Sequence, residues 1–300
     1  MIHYLILVHN NLDQLERLID KLKTSNSEIY IHMDKKISNF KKINGVYYIK
    51  NRQNISRWGS SMINAEIIWF SEIAKNMKKW DHIVLISWQC YPIKDIKYVE
   101  NYIEDLGNRS CTSYRPIEKK YLDRINRYHF NDINFHVPKI FNNIILSIVS
   151  NFITLWYPQR VPTINLVLEV IVNFILPRRK YLINHYKIYR WDQRIVLSSK
   201  HVEYILNFLE KEEWKKFFSH FDYTSCSDEI FFQTILLNNE NIKKEINNNL
   251  LWYIVREKNS NSPNTLTIKD YENIKKSDKL FARKFNINID KEILEKLNGL

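Results

Sequence analysis

Glycine is scarce in this chain, with four residues in 300, and none follows the first apolar run. A dinucleotide site needs a glycine-rich turn between the first strand and its helix, so a nicotinamide or flavin cofactor is argued against. Cysteine is equally thin: Cys90, Cys111 and Cys226 make an odd count without C-x-x-C spacing. Neither a disulfide framework nor a zinc site is expected from them. No Asp-x-Asp pair follows a strand, so the usual anchor for a divalent ion against a nucleotide-sugar diphosphate is missing. No apolar run reaches the roughly twenty residues that span a bilayer. There is no internal repeat and no low-complexity linker. The first strand has no charged leader or apolar signal core ahead of it, and a cytoplasmic protein is expected.

Basic residues are in excess, 45 against 33 acidic ones, for a net charge of +12. That predicts an acidic partner such as nucleotide phosphates, an anionic membrane face or nucleic acid. The lysines are scattered rather than clustered, which is also what a Lys- and Asn-rich composition alone would produce. The 45% hydrophobic content suffices for a sizeable core.

The most informative stretch is the first thirty-six residues. His3–Val8 is a short apolar run ending at His9-Asn10-Asn11; Leu12, Leu15, Leu18, Ile19 and Leu22 recur at helical spacing; Ile29-Tyr30-Ile31 opens a second run ending at Asp34. Strand, helix and strand at this length form a right-handed parallel unit, whose ligands sit beyond the carboxyl ends of the strands. His9 and Asp34 fall there, suited to the base and ribose of one nucleotide, although polar residues also end strands simply as turn formers.

Further on, Val46–Ile49 reads as a third strand, Ser60 or Ser61 as the cap of a helix carrying Met62, Ala65, Trp69, Ile73 and Met77, and His82–Ser87 as a strand buried on both faces. Trp88–Pro92 reads as a loop at its carboxyl end, followed by a helix with Ile96, Val99, Ile103 and Leu106. The alternation predicts an α/β fold, a mostly parallel sheet flanked by helices. Residues 128–190 break the rhythm as a helical, apolar insertion in one domain spanning 1–300. Its runs Ile144–Val149 and Leu166–Val172 read either as core helices or as helices dipping into a membrane surface, backed by Arg178-Arg179-Lys180. Then come a strand at Arg194–Ser198 and a helix with Val202, Ile205, Leu206 and Leu209. Ser227 is expected to cap a helix opening Asp228-Glu229, Thr267 and Asp270 have capping-box spacing, Leu280–Phe285 is extended, and Asp290 begins a last helix.

Without a metal, a leaving diphosphate must be neutralised by fixed cations. Arg283 and Lys284 are candidates, of which an extended segment turns only one toward the site; Arg256 is another. Glu229 is the candidate general base, since a carboxylate kept ionised at a helix start can take the proton of an acceptor hydroxyl. First-turn acids are also routine helix stabilisers. Trp252 and Tyr253 offer flat faces for a sugar ring, or core aromatics.

Several pieces, in order, resemble the core-2/I-branching N-acetylglucosaminyltransferase family, which includes peptide O-xylosyltransferases. They are Tyr4–His9 with Leu15-Glu16-Arg17-Leu18, Ile29–Lys36, Trp58-Gly59-Ser60-Ser61-Met62, Tyr91-Pro92-Ile93-Lys94, Ser227-Asp228-Glu229 and Leu280–Phe285. The resemblance implies a GT-A-like fold, a UDP-sugar donor, a glycan acceptor, inversion at the anomeric carbon and no metal cofactor. It implies Glu229 as base, Lys284 and Arg256 at the diphosphate, His9 and Asp34 in the uridine pocket, and Trp252 near the acceptor sugar. Cys90 stands where relatives usually carry Asp, and Trp191-Asp192-Gln193-Arg194 replaces a segment that usually begins Gly-Ser. Both loops are expected to border the acceptor or the transferred sugar, and Gln193 and Trp58 are candidate contacts to it. The chain resembles the compact bacterial branch, expected in surface-polysaccharide synthesis, with a lipid-linked glycan acceptor and peripheral contact on the inner membrane face as further expectations. The competing reading is a non-enzymatic basic module for anionic membrane or nucleic acid; the lack of basic clusters disfavours nucleic acid.

Overall fold

The computed structural model describes residues 1–38, 40–56, 58–132, 163–257 and 262–299, with Trp191 described in its backbone alone. The opening unit folds as its spacing predicts: β1 (Ile2–Val8), a helix at Leu12–Leu22 and β2 (Ser27–Met33). Asn11 starts that helix by accepting from the Gln14 N–H, and its Leu15, Leu18, Ile19 and Leu22 are buried. The remaining strands are β3 (Tyr47–Tyr48), β4 (His82–Ser87), β5 (Cys90–Pro92), β6 (Ser110–Cys111), β7 (Tyr114–Pro116), β8 (Tyr189–Trp191), β9 (Val196–Ser198), β10 (Ile246–Asn247), β11 (Trp252–Ile254) and β12 (Phe281–Arg283).

Seven of the described strands form the main sheet in the order β10-β6-β9-β4-β1-β2-β3. β1 runs parallel to β2 and β4, and β2 parallel to β3. The departure is β9, antiparallel to both β4 and β6. It enters from the two-stranded ribbon of β7 and β8, with no crossover helix to turn it parallel. Tyr4, Ile6 and Val8 of β1 and Val84 and Ile86 of β4 pack on one face against the Leu12–Leu22 helix. Leu5, Ile83 and Leu85 pack on the other against Trp69, Phe70 and Ile73 of the helix Ser61–Ala74. Two covered faces explain why both strands read as nearly unbroken apolar runs.

Three expectations are corrected. The loop expected over Trp88–Pro92 is half strand: β5 pairs antiparallel with β12, setting Arg283 opposite Cys90, and β11 joins on the far side. A partner nearly two hundred residues away leaves no local signal. Ser60 does not cap the Ser61–Ala74 helix through its own side chain. The Asp132 carboxylate does so from outside, accepting from Ser61 N (3.1 Å), Ser61 Oγ (2.6 Å) and Ser60 Oγ (3.1 Å). Ser227 makes no cap either; its Oγ donates to Gly59 O at 2.7 Å, and Glu229 closes a 3-10 turn (Ser227–Glu229) ahead of the helix Phe231–Leu237.

The capping box of Thr267 and Asp270 is present, and Asp290 accepts from Ile293 N at the start of the last helix. Within the insertion, Leu166–Val172 lies in the helix Ile164–Ile175, while the Ile144–Val149 run lies outside the described residues. Among the described residues no helix is long and apolar enough to cross a membrane.

Candidate active site

A cleft of about 650 Å³ opens at the carboxyl ends of β1, β2 and β4, where Val8, His32, Asp34 and Ser87 reach its wall. In register, Leu7 stands beside His32 on one side and Ser87 on the other, so the three parallel strands end together and leave one shared floor. His9, Asp34, Trp58, Gln193, Glu229, Arg256 and Arg283 all line this cleft, although the chain brings them from seven separate segments.

At one end, Asp34 is fixed by its backbone. Its N–H donates to Val8 O (2.9 Å) and its Oδ1 accepts from Lys36 N (2.9 Å). Arg52 secures the same turn by donating to the carbonyls of Met33 (2.9 Å), Asp34 (2.7 Å) and Ile37. Burial lowers the pKa of His9, with Arg283 and Lys36 reinforcing the shift and Asp34 opposing it. The Trp88 ring meets His9 edge-on with centroids 5.6 Å apart. His32, also at the wall, is pushed down to about 4, first by burial, and its Nε2 accepts from Gln53 N at 3.1 Å. Two neutral imidazoles and an oriented carboxylate suit the hydrogen-bonding edge of a base and the hydroxyls of a ribose.

The cations stand across the floor. Arg283 donates to Ser87 Oγ (3.4 Å), and burial pulls its pKa down to about 10, still protonated near neutrality. Arg194 also lines the cleft; it is buried and paired with Asp192, whose Oδ1 also accepts the Arg194 N–H at 2.9 Å. Arg256 is exposed at the rim. Lys284 is not part of the lining; its Nζ donates to Ser262 Oγ (3.1 Å), and Ser262 is. The segment is held by Gln14, fully buried on the first helix. Its Nε2 donates to Trp88 O (3.0 Å) and Phe285 O (3.1 Å), and its Oε1 accepts from Ile287 N (2.9 Å).

Opposite lies the acid cluster. Asp228 and Glu229 both face the cleft, and the Asp228 carboxyl is pushed up to about 7, first by burial and then by Glu229 beside it. Behind them Glu66, fully buried, accepts from Gln193 Nε2 (2.7 Å), and burial raises its pKa well above the carboxylate range. Cys226 and Trp58, both non-glycine residues at positive φ (53° and 70°), are joined by the Cys226 N–H donating to Trp58 O at 2.9 Å. Left-handed backbone at bulky residues persists only where the surroundings impose it, and it concentrates at working sites. Trp58 is 41% exposed beside Glu229 on the wall.

The model of the core-2/I-branching enzyme family matches residues 2–278. The chain belongs to that family. It is a family of glycosyltransferases, which use nucleotide-sugar donors and glycan acceptors. The sheet with helices on both faces is the GT-A-like arrangement of such an enzyme. Among curated proteins, none matches the chain.

Two residues put forward for the sugar do not reach this core-2/I-branching cleft. Trp252 is 2% exposed and stacked on Phe281 (5.2 Å, 22°), so neither ring face is open to a sugar. Tyr253, half-buried, packs against the same hydrophobic core and is not part of the cleft lining. A three-residue strand carries no periodicity that separates a core aromatic from a site aromatic. Sequence reasoning missed Gln14, Arg52, Glu66 and Asp132 altogether, since each acts through a partner distant in the chain. Asp228 and Arg194 lie within segments that the sequence brings out, beside Glu229 and Gln193, but no local pattern assigns either a role.

Proposed function

We propose that the protein is an inverting, metal-independent glycosyltransferase moving a sugar, with N-acetylglucosamine as first choice, from a UDP-sugar to a glycan hydroxyl. The observation that carries this is the meeting of one carboxylate, Glu229, with Arg283, Arg194 and Arg256 around a single cleft at the carboxyl ends of parallel strands. Uridine sits against His9 and Asp34. Glu229 takes the proton of the acceptor hydroxyl, whose oxygen attacks the anomeric carbon from the face opposite UDP, inverting it. The bond to the diphosphate breaks with its electron pair on UDP, and Arg283, Arg256 and, across Ser262, Lys284 neutralise that charge. Trp58 stacks on a sugar ring and Gln193 bonds to it.

The same reading puts the enzyme in the cytoplasm, in bacterial surface-polysaccharide synthesis, acting on a lipid-linked acceptor at the inner face of the membrane. In support, Phe174 (91%) and Ile175 (70%) are strongly exposed at the end of their helix, next to exposed Arg178 and Lys180. The test is Glu229→Gln, assayed with a panel of UDP-sugars. Transfer should fall by about a hundredfold or more while UDP binding stays near wild type; equal turnover would remove Glu229 from the role.

A further inference from the structure

Glu229 is held from behind. Arg124, on the short helix Asp123–Asn126, donates from Nη1 to Glu229 Oε2 at 2.9 Å, and Arg190 of β8 has Nη1 4.0 Å from the same oxygen. Both guanidinium groups lie over the ring of Tyr121, Arg190 at 3.6 Å and Arg124 at 5.0 Å from its centroid. Neither arginine lines the cleft, whereas Glu229 does. The turn beneath Glu229 is tied to the same scaffold, because Ser225 N donates to Arg124 O at 3.0 Å and Ser227 Oγ to Gly59 O at 2.7 Å.

The geometry points to Arg124 as a positioning residue: it engages Oε2 of Glu229, with Arg190 behind it, so that Oε1 is left to take the proton from the acceptor. This rests on Glu229 being the base, as proposed above. A partly exposed ion pair adds little to folding, so the contact matters for orientation and charge rather than stability. Glu229 is faced by Arg124 from the short helix, Arg190 from β8, Arg194 from the loop before β9, and Asp228 and Cys226 from its own turn. Among these Arg124 makes the short contact of opposite charge.

The test is the pH profile of UDP release from UDP-N-acetylglucosamine by the full chain, in wild type, Arg124→Met and Arg124→Lys, with Glu229→Gln as the control. Arg124→Met should lower kcat about tenfold or more with donor KM little changed, and should alter the shape of the profile. Arg124→Lys should recover part of both effects. A kcat and pH profile unchanged in Arg124→Met would overturn the proposal even with Glu229→Gln inactive. Conversely, a changed kcat in Arg124→Met together with an active Glu229→Gln would remove Glu229 as the base and with it the proposed function. A melting scan of each variant with and without UDP separates these results from misfolding.

Discussion

Gly59 lies so close to Asp132 that a Cβ built on it would sit 2.2 Å from the Asp132 Oδ1. That carboxylate cannot simply swing away, because Ser60 and Ser61 hold it through three hydrogen bonds that together start the Ser61–Ala74 helix. Gly59→Ala should therefore cost about 1–2 kcal/mol, the scale of a lost helix cap. Asp132→Ala should cost a similar amount, and the double variant much less than the sum, since both changes break one contact. Thermal melts of the three variants check this; strictly additive losses would show that the close approach is incidental.

Asp228 supplies a pH dependence with a definite sign. Its carboxyl titrates at about 7 in the fold and near 4 in an unfolded chain, so the native state keeps the extra proton between those values. The stability linked to it is full below about pH 4 and is lost as pH rises through about 7. Asp228→Asn mimics the protonated form. Its advantage over wild type should widen from pH 5 to pH 8, reaching about 2 kcal/mol once the full shift is discounted for solvent screening. Melting both proteins at the two pH values decides it; a constant gap would place the titration elsewhere.

What the sequence disclosed depended on how local the physics is. The β1–helix–β2 unit was legible because a buried central strand and one amphipathic helix each write a period into a few residues. The Thr267–Asp270 capping box was legible for the same reason: both partners lie within one turn. Glu229 and Arg283 were singled out from short motifs, and both line the cleft. Arg124 reaches Glu229 across 105 positions and Asp132 reaches Ser60 across 72, and no window of sequence carries such pairings. Trp252 misled because an aromatic in a short strand looks the same whether it faces a core or a ligand.

The exposed helix end makes a claim about membranes. If Phe174 and Ile175 insert at the headgroup level beside Arg178 and Lys180, the protein should float with vesicles containing anionic lipid and less so as salt rises. Replacing Phe174 and Ile175 by Ser should abolish flotation without changing the melting temperature by more than about 2 °C, since surface changes cost little. Retention of the wild-type protein in the soluble fraction at low salt would count against membrane contact.

The central claim is that fixed guanidinium and ammonium groups, with no bound cation, hold the pyrophosphate as it departs. The most direct measurement is calorimetric titration of UDP and of uridine into wild type and Arg283→Met, both in EDTA. Wild type should bind UDP without added metal, and Arg283→Met should bind it about tenfold or more weakly while uridine affinity is unchanged, as expected for loss of one charge-assisted contact. UDP binding that requires added Mg²⁺ or Mn²⁺, or that is unaltered in Arg283→Met, would contradict the account.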